Sequence, residues 1–102
     1  MHYVAYFFGG LFLLNAVPHV VSGTMGRAFQ SPFASPPGRG LSSATVNVLW
    51  GFFNAVIGYL LLCRVGDFNL RHIPDMIAAA LGALLLALFN AHTFGRVNGG
   101  NA

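Results

Sequence analysis

Three asparagines stand in near-identical settings: Leu13-Leu14-Asn15-Ala16, Phe52-Phe53-Asn54-Ala55 and Leu88-Phe89-Asn90-Ala91. A carboxamide both donates and accepts, so it can hydrogen-bond a neutral polar solute or replace part of an ion's hydration shell. It can equally bond a second carboxamide and fix how two helices pack. Two histidines lie close by in sequence, His19 after Asn15 and His92 after Asn90. Histidine changes charge near neutral pH, which suits a proton relay. Asn47 and Trp50 precede Asn54 on the same segment. A polar cavity is therefore expected from Asn15, His19, Asn47, Trp50, Asn54, Asn90 and His92. The plainer alternatives are helix-packing asparagines, interfacial histidines favoured by a helix C-terminal dipole, and a tryptophan of the aromatic belt.

Other chemistries are poorly served. Asp67 and Asp75 lie together in the chain, away from both histidines, so no paired-carboxylate or triad arrangement suggests itself. No nucleophile elbow or Gly-rich phosphate loop is present, and no enzyme is expected. Two histidines without nearby Cys, Asp or Glu make a poor metal set. A bis-histidine haem or metal site between subunits stays as a minor alternative, and otherwise no cofactor is expected. Covalent haem would need Cys-x-x-Cys-His, which is absent. Cys63 is alone and can form no intrachain disulfide.

The segments that carry these residues are membrane spans by composition. Of 102 residues 56% are hydrophobic and 7% charged, against roughly 25% charged in globular domains. A water-soluble surface cannot be built from that. The expected fold is an all-α integral membrane protein, one domain of three transmembrane helices arranged up-down-up. The spans are about 3–21, 41–63 and 73–94, each near the roughly 20 residues that cross a bilayer. The first lacks a basic leader and a clear cleavage site, so it is expected to be retained. Residues 64–72 form a tight polar turn. Residues 22–40 form a Gly/Pro/Ser-rich loop whose Met25, Phe29 and Phe33 suit a membrane surface or a fold back over the helix ends. The tail from Arg96 is expected to be polar and mobile.

Alternating span directions gather the cluster. Asn15, Asn54 and Asn90 fall at matching depths when each residue rises about 1.5 Å. Asn47, Gly51, Asn54 and Gly58 make one stripe of the second helix, and Ala79, Ala83, Ala87 and Asn90, with Gly82 beside them, make a ridge of the third. Small residues let helices approach closely, so Gly51, Gly58, Ala79, Gly82, Ala83 and Ala87 are the expected packing positions. Pro18 either ends the first helix or opens its last turn near the cluster.

The arginines are too scattered for nucleic acid. Arg27, Arg39 and Arg96, with Ser42 and Ser43 at the start of the second helix, are the candidates for an anion or lipid headgroup. Ser42 or Ser43 is the expected N-cap. Three arginines on the side of the long loop, against two diluted by aspartates, put the C-terminus in the cytoplasm.

In its three spans, with a Pro in the first, a Trp in the second and an Asn in the third, the chain resembles the half-transporters that pair to move sugars. The resemblance is of architecture alone, since Pro18 is followed by His19 and not by the Gln of their signature. The expected function is a self-associating channel or transporter for a small polar solute or proton. The alternative is a structural or accessory subunit of a larger membrane complex, with the asparagines serving helix packing. The expected partners are the lipid bilayer and either further copies of the chain or that larger complex.

Overall fold

The computed structural model describes residues 2–37 and 39–100. Three helices dominate it: α1 (Tyr3–Thr24), α2 (Ala44–Tyr59) and α3 (Ile73–Asn98). A π-helical turn, Leu60–Val65, prolongs α2. With it, each helix is long and apolar enough to cross a membrane.

α1 is the middle element. It packs along both neighbours, while no comparable contact joins α2 to α3. Glycines permit the approach. A Cβ at Gly82 would run into the Phe7 carbonyl, and one at Gly10 into the backbone of Ala79. On the α2 side, Gly51 lies against Val20 and Ala16, and Gly58 against Leu13 and Gly9. The pairing of α1 residues with descending α2 numbers shows that α2 runs back along α1. Phe7 with Gly82, and Asn15 with Asn90, show that α3 runs in the direction of α1.

Polarity is inverted relative to a water-soluble domain. The buried residues of α2 are Asn47, Gly51, Asn54 and Gly58. Leu81, Leu84, Leu85, Leu88 and Phe89 of α3 are more than half exposed. Among the described residues no buried side-chain nitrogen or oxygen lacks a hydrogen-bond partner. Amides inside and leucines outside suit an apolar surround, in which an unpaired amide would be costly.

Helix ends differ from expectation in four places, the smallest being Arg64 and Val65, expected in the turn but part of the π-helical segment, so that the turn is 66–72. α1 passes through Pro18 and continues to Thr24, so the proline neither ends the helix nor unwinds its last turn. The missing N–H costs the Leu14 carbonyl its usual donor, but the later turns stay packed, with Val20 against Gly51 and Gly23 against Ala44 and Val48. The second helix begins at Ala44 rather than 41, because Leu41–Ser42 pairs as a strand and Ser43 caps the helix. The third runs on to Asn98, where Gly99 adopts φ 82° and closes it. Residues 96–98 are therefore helical, and Asn98 is tied to Gln30 by reciprocal amide bonds of 3.0 and 3.2 Å.

The long loop is a hairpin. β1 (Phe29–Gln30) pairs antiparallel with β2 (Leu41–Ser42). Phe29 packs edge-on against His19 and Phe94, and Phe33 against Trp50, so the loop's aromatics fold back over the helix ends. At the opposite end, Asp75 holds the 66–72 turn, accepting from the Asn69 N–H at 3.0 Å and lying 2.9 Å from His72 Nδ1.

Candidate functional site

Asn47 organises the site. It is fully buried, and its Nδ2 lies 3.1, 3.2 and 3.1 Å from the carbonyl oxygens of Phe29, Ser42 and Ser43. Carbonyls can only accept, so the atom facing them is the amide nitrogen. Its oxygen therefore faces His19 Nδ1, at 2.6 Å. That oxygen can only accept, which places a hydrogen on Nδ1. In the neutral ring the other nitrogen, Nε2, then carries a bare lone pair.

Among the described residues no group bonds that lone pair. His19 is 2% exposed, yet Nε2 is not among the buried atoms without partners, so it keeps a small open surface. His19 lines a cleft of about 410 Å³ between α2 and α3, floored by α1. Trp50, Leu86, Phe89 and Phe94 make its apolar walls, and Gln30, Ser31 and Pro32 of the hairpin cover it. Ser31 is itself fixed, 2.6 Å from the Ser42 hydroxyl and accepting from the Phe33 N–H at 3.1 Å.

The three repeated asparagines form a directed chain across all three helices. Asn54 Nδ2 donates to the Trp50 carbonyl at 2.8 Å, so its oxygen is free to accept from Asn15 Nδ2 at 3.0 Å. Asn15's oxygen accepts in turn from Asn90 Nδ2 at 3.3 Å. Donation runs Asn90 to Asn15 to Asn54 to backbone. Asn54 is wholly buried, while Asn15 and Asn90 are half-buried and line the cleft with His19. At the head of the chain the Asn90 oxygen has no protein donor among these bonds. The cleft thus presents two acceptors, His19 Nε2 and Asn90 Oδ1, within apolar walls.

Asn15, His19, Asn47, Trp50, Asn54 and Asn90 are brought together. His92 is not. Two residues beyond Asn90 is about 200° around a helix, so matching depth leaves it on the far face. It is exposed, beside Arg39, Thr93 and Arg96 in a separate pocket of about 290 Å³. His19 and His92 therefore do not form one bis-histidine set within the chain. Among the described residues no group of three or more His, Cys, Asp or Glu could hold a metal.

Gly51, Gly58, Ala79 and Gly82 lie at helix contacts, and Ala83 and Ala87 are half-buried along α3. Ser43 caps α2, accepting from the Val46 N–H at 3.2 Å, and Ser42 belongs to the hairpin. Arg27 is exposed and does not line the pocket of Arg39 and Arg96. Sequence reasoning missed Gln30, Ser31 and Asn98, the polar fastening of the hairpin, and Gly9 and Gly10, which admit α2 and α3 to α1. Asn98-Gly99-Gly100 carries a helix-stop signal that could have revealed the longer α3. Compared with known proteins, the chain matches no family model, no curated protein and no solved structure.

Proposed function

We propose that this is an integral membrane protein of three spans, up-down-up, that binds a neutral amphiphile bearing a hydroxyl group. The hydroxyl donates to His19 Nε2, and the apolar body lies along Trp50, Phe89 and Phe94. The observation that carries the proposal is the lone pair of His19 Nε2, unbonded by any described residue, at the wall of a cleft in a structure whose buried polar atoms are all satisfied. A cleft between two helices that barely meet suits a ligand arriving from the lipid. Conduction has less support. The asparagine amides are spent on one another, and the hairpin lies across the end of the cleft. Their mutual satisfaction favours the packing role for Asn15 and Asn54. The charge count keeps the C-terminus in the cytoplasm.

Trp50 is the only tryptophan and lines the cleft, so its fluorescence reports occupancy. In a neutral detergent, a long-chain alkylphenol is expected to change that fluorescence. It should do so at about tenfold lower concentration than its methyl ether, which cannot donate. His19→Phe should abolish the preference. Equal binding of phenol and ether to the natural chain would overturn the proposal.

A further inference from the structure

The pocket that receives His92 has its own chemistry. Arg39 from the hairpin loop and Arg96 from the last turns of α3 converge on it, joined by His92, Thr93 and Val97. His92 and Arg96 are one helical turn apart and share a face. The one salt bridge among the described residues is His72 with Asp75. Neither guanidinium is therefore paired with an aspartate. Asp75 lies far away, in the first turn of α3, whereas Arg96 is in its last. At about 1.5 Å per residue, that separation is roughly 30 Å along the helix.

Two guanidiniums that line one pocket, with no carboxylate beside them among the described residues, repel each other, and an anion is their natural complement. The helix C-terminus favours Arg96 itself but does nothing for Arg39, which comes from a different segment. The anion that fits is tetrahedral and oxygen-rich. Forked guanidinium donors match phosphate oxygens, and the Thr93 hydroxyl and a His92 ring N–H add further donors. The site lies at the end of the third span, the level of lipid headgroups, with exposed Leu88 and Phe89 one to two turns along α3 towards the membrane centre.

We infer that Arg39, His92, Thr93 and Arg96 form a phosphate site that holds the headgroup of an anionic phospholipid. The inference depends on the membrane reading but not on the cleft, whose failure with alkylphenol would leave it standing.

The test is native mass spectrometry of the full chain in neutral detergent with added phosphatidylglycerol or phosphatidylcholine. Phosphatidylglycerol should be retained with a preference of roughly tenfold or more. The double variant Arg39→Gln/Arg96→Gln should lose that preference. Arg64→Gln/Arg71→Gln, which removes the same charge at the other end, should keep it. Helix content by circular dichroism is expected to be unchanged in both, since all four side chains are exposed. Displacement of the lipid by millimolar inorganic phosphate would reassign the site to free phosphate and overturn the headgroup assignment. Equal retention of both lipids, or equal loss in the two double variants, would overturn the site altogether.

Discussion

Near the 66–72 turn the backbone of α1 touches α3 directly: Phe7 meets Gly82, and Gly10 meets Ala79. Further along, the same two helices are joined through side chains, Asn90 to Asn15 at 3.3 Å. One region closes by removing side chains and the other by hydrogen-bonding them. Glycine contacts bring no polar side chain that needs a partner, so they suit a junction that only fastens the helices. Both regions border a cleft, but the one of about 430 Å³ beside Gly10 and Ala79 is lined by apolar residues throughout, whereas the amide contacts leave acceptors at the edge of theirs. The structural lock and the binding surface can thus share one region only because the lock is polar.

Breaking the glycine region should have the largest effect. Gly82→Leu would drive a side chain into the Phe7 carbonyl, backbone that cannot move without separating α1 from α3. Rigid overpacking costs about 1–3 kcal/mol or more, and here it strikes the sole extensive contact of α3 with the rest of the chain. The variant is expected to lose its cooperative thermal transition in detergent, whereas Leu84→Ala, on an exposed face, should leave the transition nearly unchanged.

The two regions are unequally legible in the sequence. Depth follows from counting residues, so the matched heights of Asn15, Asn54 and Asn90 can be derived from the chain alone. Depth says nothing of angle around the helix, and for that reason His92 stands on the opposite face from Asn90 at nearly the same height. The stripe Asn47, Gly51, Asn54, Gly58 follows from helical spacing and is where α2 meets α1. Gly9 and Gly10 carry no such spacing signal, since a glycine pair in an apolar run has no partner written beside it. The hairpin is hidden for another reason. Its ladder is two residues long on each side, with a Pro-rich stretch between, too short for any alternation to show. The lone pair of His19 depends on that ladder, because two of the three carbonyls that orient Asn47 are its Phe29 and Ser42.

A change at Asn47 tests that dependence and should have the second-largest effect. Asn47→Leu removes the acceptor of the His19 Nδ1 hydrogen and the donor shared by three carbonyls. A buried donor left unpaired costs about 1–3 kcal/mol. Reversible unfolding in mixed detergent should register a loss of that size. The phenol-over-ether preference should shrink as well, since the imidazole is no longer held in one tautomer. A stability loss with the preference intact would show that Asn47 acts on packing alone.

The asparagine chain should give the smallest effects, graded along its direction. Asn54→Leu removes the acceptor for Asn15 at a wholly buried position, and interhelical bonds of this kind average about 0.6 kcal/mol with a maximum near 1.7. Asn90→Leu removes only the terminal donor, at 3.3 Å and half-buried. Nothing upstream depends on Asn90, and its own oxygen has no partner to lose among the described residues. Its cost should therefore fall below that of Asn54→Leu, to within about 0.5 kcal/mol of neutral. If instead the two variants cost the same, the bonds would be acting as an undirected mesh and the polarity assigned to the chain would be wrong. The effect of Asn90→Leu should appear in ligand binding rather than stability, because the acceptor it deletes faces the cleft.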